Sequence, residues 1–293
     1  MLVKLAKYFL HLHTEYSFCV EPIIKDQNIQ HPERSILTIY TGPDKFSFSL
    51  YDATEKGSFF HADFTDENQT DAFSVFKKVF FEQTFLSMPF QKVRIMNRTP
   101  NFTFIPHSYY KDRYQEKYLR FLFSDRQGIP MTCSVPSASI TVLYQLPKTV
   151  HDFMIRSFTN PEFIHYSAPL ITYFLEKANN MDVHRMVINL QENGLDIFCF
   201  LGKSFLFGNY FSCNSIEDML YYIFFTWKQL ELDQKNDYLH IAGNIALKEE
   251  IIDRLTPYIK NTYSLSISPE IHFEGIVTNA IPFELAALSI CEL

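Results

Sequence analysis

The sequence predicts an α/β fold with two similar lobes, each a mixed sheet with a three-stranded meander and flanking helices. Three observations support this prediction. At 293 residues, the chain is long enough for two lobes that each bury a core. Short apolar strands alternate with amphipathic helices, which is typical of the α/β class. The order of meander, helix, strand and helix also occurs twice, once in each half.

The first half begins with a predicted meander of three strands at 35–40, 46–52 and 58–64. Apolar and polar residues alternate strictly over Phe46–Leu50, which indicates a half-buried strand. The other predicted strands of this half are 91–96, 101–105, 139–144 and 163–166, and its predicted helices are 71–86, 110–123, 147–158 and 169–178.

The second half repeats this order from Met186 onward. Its meander has predicted strands at 186–190, 195–201 and 203–210, separated at Gly194 and Gly202, which permit turns. Ser215 then begins a helix whose apolar residues follow the spacing of one helical face. We expect it to be the main buried helix of this lobe, with Trp227 largely inaccessible. The remaining predicted elements are strands at 238–242 and 264–267 and helices at 249–258 and 282–290.

Composition excludes several classes of function. The formal net charge is −7 and no cluster of Lys and Arg appears, so we expect no nucleic-acid partner. The 8 glycines are few for a protein with phosphate-binding loops, whereas the 30 phenylalanines predict aromatic cores. Five cysteines without Cys-x-x-Cys spacing favour a reducing compartment over disulfides or zinc. With no transmembrane span predicted, the expected location is the cytoplasm.

Small or polar residues end three of the predicted strands. These segments are Ile39-Tyr40-Thr41-Gly42-Pro43-Asp44, Asn189-Leu190-Gln191 and Ile241-Ala242-Gly243-Asn244, and a small apolar helix, Phe283-Glu284-Leu285-Ala286-Ala287-Leu288, closes the chain. In this order they resemble the actin, hexokinase and Hsp70 superfamily, whose lobes have a ribonuclease H-like plan. More narrowly, the chain resembles the cytoplasmic actin-like proteins of type IV pilus and type II secretion machines. It also resembles a bacterial family of unknown function built on the same plan.

The resemblance implies that the first two segments stand where the superfamily has phosphate loops of the type Asp-x-Gly. Gly42 keeps the glycine of the first loop, but Tyr40 stands where the magnesium-organising aspartate belongs. In the second loop, Asn189 replaces the aspartate and Gln191 replaces the glycine. A neutral amide is a weaker magnesium ligand than a carboxylate. Gln191 also adds a side chain where backbone would have to approach a phosphate.

The third segment stands where the superfamily has a Gly-Gly adenosine motif, of which Gly243-Asn244 retains half. The candidate residues of a degenerate nucleotide cleft are therefore Gly42, Asn189, Gly243 and Asn244. No catalytic residue, metal ligand or cofactor is predicted.

Two hypotheses of function follow from the resemblance. The first is a non-catalytic actin-like protein that acts as an interaction or scaffold component of a bacterial assembly and binds another protein. The alternative is an ATPase or kinase-like switch that uses the cleft between the lobes, with ATP and magnesium as cofactors. The sequence predicts neither the partner nor the oligomeric state.

The predicted lobes exchange the end of the chain. Residues 1–155 are expected to form the first lobe, completed by 276–293, and residues 156–275 to form the second. The closing helix has a small apolar stripe that needs an existing sheet to pack against. Pro282 suits its first turn.

Overall fold

The computed structural model describes residue 29 and residues 31–42, 46–52, 54, 59–64, 71–123, 128–178, 182–191, 193–243, 245–265 and 281–291. These residues contain two five-stranded sheets and one three-stranded sheet. No helix among them is long and apolar enough to cross a membrane.

The first sheet has the strand order β3-β2-β1-β4-β8. Its strands are β1 (Ser35–Thr41), β2 (Phe46–Asp52), β3 (Phe60–Phe64), β4 (Lys92–Asn97) and β8 (Glu162–His165). The first three form an antiparallel meander, whereas β4 runs parallel to both β1 and β8. Thr41 and Asn97 are register partners, so the carboxyl ends of β1 and β4 lie side by side.

Two helices cover one face of the first sheet. They are α1 (Ala72–Glu82) and α3 (Lys148–Ser157). The side chain of Asp71 accepts a hydrogen bond from the amide of Ser74, which caps the start of α1. Phe76 of α1 and Met154 of α3 belong to one apolar core with Phe46 and Phe48 of β2. This core confirms the expectation of phenylalanine-rich packing.

The second sheet repeats the plan in the order β11-β10-β9-β12-β13. Its strands are β9 (His184–Gln191), β10 (Gly194–Leu201), β11 (Ser204–Ser212), β12 (Tyr238–Gly243) and β13 (Asn261–Ser264). Helices α5 (Ile216–Gln229) and α6 (Ile245–Leu255) follow β11 and β12. Trp227 of α5 is only 4% exposed, so its predicted burial is confirmed.

A third sheet, in the order β5-β7-β6, belongs to the first half only. Its strands are β5 (Phe102–Pro106), β6 (Gly128–Val135) and β7 (Ile140–Pro147), and helix α2 (Gln115–Leu122) contacts β7. The sequence pattern predicted no element over β6. Pro130 explains the omission, because proline is confined to edge strands, and β6 is an edge strand here.

Two further helices meet where the sheets approach each other. They are α4 (Ser167–Glu176) and α7 (Phe283–Cys291). Phe174 of α4 and Phe283 of α7 stack with ring centroids 5.8 Å apart. Both join a core that includes Tyr40 of the first sheet and Phe198 of the second. The closing helix therefore packs at the junction of the sheets.

The observed elements confirm the predicted α/β class, the two mixed sheets and the meander in each. Several ends differ: α1 stops at Glu82 rather than 86, α6 runs from Ile245 to Leu255 rather than 249–258, and β13 lies at Asn261–Ser264 rather than 264–267. The lobe boundaries stay a prediction. Strand β8, which follows the predicted boundary at 155, hydrogen-bonds to β4 in the first sheet.

Candidate functional site

The end of β1 carries a buried tyrosine where the resemblance led us to expect an aspartate. Tyr40 is 1% exposed, and its hydroxyl donates a 2.7 Å hydrogen bond to Oε1 of Glu284 in α7. Burial first, and the negative charge of Glu284 second, raise the pKa of Tyr40 well above its ordinary value. The phenol is therefore neutral and acts as a hydrogen-bond donor to a carboxyl group.

The second predicted phosphate segment faces a carboxylate that the motif comparison did not include. Asn189 of β9 is the register partner of Asp196 of β10, and its Nδ2 donates a 3.2 Å hydrogen bond to Oδ2 of Asp196. The hydroxyl of Tyr166, which follows β8, donates to Oδ1 of the same carboxyl group. Burial raises the pKa of Asp196 to about 6, although the positive charge of Arg98 opposes this shift.

Arg98, directly after β4, reaches from the first sheet to the second. Its guanidinium donates to Oε1 of Gln191 at the end of β9. Its Cζ also lies 5.4 Å from the ring centroid of Tyr166 and 5.9 Å from that of Tyr210, within the range of cation–π contacts. Burial alone would lower the pKa of Arg98, but its acidic neighbours raise it above its ordinary value. The guanidinium is therefore charged.

These contacts form one group of buried and partly buried side chains that joins the two sheets, here called the cleft cluster. Its members are Tyr40, Arg98, Tyr166, Asn189, Gln191, Asp196 and Glu284. The cluster contains two carboxyl groups and one guanidinium. It ties the carboxyl end of β1 and the residues after β4 and β8 to the β9–β10 hairpin and to α7.

The cleft cluster fits a magnesium-bound nucleotide poorly. Magnesium prefers carboxylate and water oxygens, but both oxygens of Asp196 already accept hydrogen bonds. Gln191 stands at a phosphate-loop glycine position, and its side chain binds Arg98. Throughout the described part of the chain, no group of three or more His, Cys, Asp or Glu side chains could hold a metal ion.

The glycine of the predicted adenosine motif has a packing role in the second sheet. Gly243 ends β12 with φ +96°, and a Cβ there would lie 2.2 Å from the carbonyl oxygen of Leu190 in β9. Only glycine fits this backbone conformation at this distance. Asn244, the other half of the motif, lies outside the described residues.

Gly42, the remaining predicted site residue, lines a pocket beside the first sheet, here called the β1–β4 pocket. The pocket has a volume of about 230 Å³ and is partly open to solvent. Its walls come from the end of β1, the start of β2, the first turns of α1 and α3, and the residues after β4. Thus Asn189 belongs to the cleft cluster, Gly243 contacts the adjoining strand, and Gly42 lines a separate pocket.

The motif comparison did not identify Arg98, Asp196 or Glu284 as site residues. For two of them the sequence did contain a signal, since Asp196 and Glu284 are single charged residues within apolar segments that form a strand and a helix. Charged side chains are almost never fully buried unless they are paired. A lone acid in such a segment therefore indicates a buried polar contact, although its partner cannot be named from the sequence.

Solved structures with the same architecture are consistent with the resemblance. One, from Bacteroides thetaiotaomicron VPI-5482, is described as a protein with an actin-like ATPase fold and unknown function. It is 25% identical, has a TM-score of 0.79, and is matched over 92% of this chain and 99% of its own. A chain of the PilM-PilN type IV pilus biogenesis complex is 10% identical, with a TM-score of 0.56 over 88% of this chain and 97% of its own. The fold is therefore actin-like.

Comparisons of sequence without structure identify the family of this chain. No curated protein matches this chain. A family model described as "Protein of unknown function (DUF3822)" matches residues 24–262, which is most of the length. The chain therefore belongs to the DUF3822 family.

Proposed function

We propose that this chain is a non-catalytic actin-like protein that acts as an interaction or scaffold component of a bacterial assembly. The observation that carries this proposal is the position of Arg98. Its backbone amide donates to the carbonyl oxygen of Thr41 at the end of β1, and its guanidinium donates to Gln191 at the end of β9, so Arg98 joins the two segments at which the resemblance places phosphate loops. The chain closes its cleft with its own side chains.

The energetics of the cleft cluster favour this arrangement over nucleotide binding. A nucleotide entering the cleft would displace Arg98 from Gln191 and separate it from Asp196. A hydrogen bond to a charged group contributes about 1.5–3 kcal/mol, which a contact with phosphate would first have to replace. The phosphates would also bring negative charge next to the carboxyl groups of Asp196 and Glu284. The cluster therefore opposes the ligand that the fold would otherwise suggest.

An exposed aromatic pair supports the binding of a protein partner. Tyr221 and Phe225 on α5 are 62% and 47% exposed, and their rings stack with centroids 5.9 Å apart. Aromatic side chains contribute strongly to protein interfaces. The PilM-PilN complex is a further support, because a protein of this fold is found there in a protein assembly.

Thermal unfolding with nucleotides tests the non-catalytic assignment. A ligand at one hundred times its Kd stabilises a folded protein by about 2.7 kcal/mol. We expect ATP or ADP, with and without magnesium, to leave the melting temperature unchanged. Phosphate release should equal that of buffer. Magnesium-dependent stabilisation, together with ATP turnover that Asn189→Ala abolishes, would instead establish the nucleotide-driven switch.

Affinity purification from the native cell tests the interaction role. The wild-type chain should enrich a specific protein, and the double variant Tyr221→Arg, Phe225→Arg should lose it. The matched control is Tyr109→Arg with Phe121→Arg, which changes two other exposed aromatic residues, 73% and 88% exposed. Equal enrichment by all three proteins would show that the aromatic pair on α5 is not the binding surface.

A further inference from the structure

The β1–β4 pocket lies at the edge of the first sheet where ligands are commonly bound. Strands β1 and β4 are parallel neighbours, and the pocket opens at their carboxyl ends. Open α/β sheets bind ligands in the crevice outside the carboxyl ends of parallel strands. The first turns of α1 and α3 complete its walls.

The walls of the pocket are aromatic and well packed. Phe46 and Phe76 are 2% and 1% exposed, and their rings meet edge to face with centroids 4.7 Å apart. Phe73 and Val150 add further apolar surface. An apolar cavity of about 150 Å³ is large enough for benzene. A pocket of about 230 Å³ therefore has room for a fused ring pair such as indole.

The polar groups of the pocket are few and uncharged, with one exception. Arg98 is the only charged residue among the described residues that line it, and its guanidinium is bound in the cleft cluster. Asn97 is 6% exposed, and its Nδ2 donates a 3.0 Å hydrogen bond to Oγ1 of Thr41. Its Oδ1 has no hydrogen-bond partner within the described ranges. Asn97, a residue of the pocket wall, therefore carries a buried acceptor that no described group uses.

We propose that the β1–β4 pocket binds a small, uncharged aromatic molecule that carries an N–H or O–H group. The phenylalanine walls take the ring, and the donor group satisfies Oδ1 of Asn97. Arg98 directs its guanidinium to Gln191 in the cleft cluster, and the other described walls are largely apolar, which disfavours phosphates and carboxylates. This proposal does not rest on the proposed function, because it requires no protein partner, although the pocket shares Gly42 and Arg98 with the candidate cleft.

Titration of the full chain with indole tests this site. Binding should be saturable, with a Kd of about 1 mM or below for a ligand of this size. The ¹³C methyl signals of Val150 should shift with the same Kd, which places the ligand in the pocket. 1-Methylindole has no N–H, so its affinity should fall about fivefold. Indole-3-acetate carries a carboxylate and should bind at least about tenfold more weakly.

A cavity-filling variant provides the matched comparison. Ala72→Leu places a larger side chain in the pocket wall, and it should abolish indole binding while the melting temperature stays near that of the wild type. Ala246→Leu makes the same change at an exposed position of α6 and should bind indole normally. Absence of indole binding, or binding that survives Ala72→Leu, would overturn the site. Equal affinities for indole and 1-methylindole would overturn the role of Asn97.

Discussion

The cleft cluster and the β1–β4 pocket are neighbours with opposite characters. Arg98 belongs to the first through its guanidinium, whereas Asn97, the preceding residue, lines the second. The cluster is rich in charged groups and shared by two sheets, whereas the pocket is largely apolar, partly open and confined to one. The side chains of the first region bind one another, whereas open space remains at the second.

The largest expected effect comes from removing the cation of the cleft cluster. Arg98→Ala removes the hydrogen bond to Gln191 and the positive charge that lowers the pKa of the buried Asp196, so we expect a loss of about 3–4 kcal/mol in the free energy of unfolding. Urea denaturation measures it. Arg254→Ala is the control, since Arg254 pairs with Glu217 on the surface, and it should change stability little. A loss below about 1 kcal/mol for Arg98→Ala would mean that the cluster does not hold the sheets together.

The second effect is a pH dependence that Asp196 gives to the cleft cluster. Its pKa in the folded chain, about 6, lies above its ordinary value of 3.8. Between these values the folded state binds a proton that the unfolded state has lost. The stabilisation by this group is therefore complete below about pH 4 and is lost as the pH rises through 6, a change of about 3 kcal/mol.

Asp196→Asn tests this dependence. As the pH rises from 4 to 7, the wild type should lose about 3 kcal/mol of unfolding free energy that the variant retains. Urea denaturation at several pH values measures the difference. Asp233→Asn provides a control of opposite sign, because backbone hydrogen bonds lower the pKa of Asp233. Parallel pH profiles for Asp196→Asn and the wild type would contradict the raised pKa.

Gly243 tests whether a motif residue is retained for packing or for a ligand. Gly243→Ala places a Cβ against the Leu190 backbone at positive φ, and we expect a loss of about 2–4 kcal/mol in unfolding free energy without any ligand. Gly202→Ala is the matched control, with φ 53° in the β10–β11 turn, and should cost about 1 kcal/mol. Equal losses would show that φ alone, and not contact with β9, requires glycine.

The smallest effect is expected in the β1–β4 pocket. Ala72→Leu fills open space at the first turn of α1, so its unfolding free energy should stay within about 1 kcal/mol of the wild type. Differential scanning calorimetry measures the change. A loss as large as that of Arg98→Ala would show that the pocket is as tightly packed as the cleft, and the contrast between the two regions would disappear.

The fold was largely predictable because its signals are local. Alternation over Phe46–Leu50 indicated β2, and Gly194 and Gly202 marked the turns of the second meander. Ser215 begins α5 with a side-chain cap, as its position before an apolar helix suggested. Strand β6 was missed because Pro130 removes the local strand signal, and only pairing with β7 makes this segment a strand.

The candidate site was only partly predictable, because its contacts join residues that are far apart in the sequence. The motif comparison identified Asn189, which belongs to the cleft cluster, but could not supply its partners. Tyr40 contacts Glu284, and Arg98 contacts Gln191, through pairs far apart in sequence. No periodicity or spacing relates such residues. The pocket was unpredictable as well, because its walls combine segments of β1, β2 and β4 with the first turns of α1 and α3.

The separation of these partners along the chain also bears on the order of folding. Tyr40 and Glu284 are 244 positions apart, and Arg98 and Gln191 are 93 apart. Contacts over such distances form slowly, because the closure of long loops must precede them. On the ribosome, Tyr40 and Arg98 are made before Gln191 and Glu284, so they lack their final partners during the early part of synthesis. The chain is therefore most dependent on protection from aggregation while only its first half has been made.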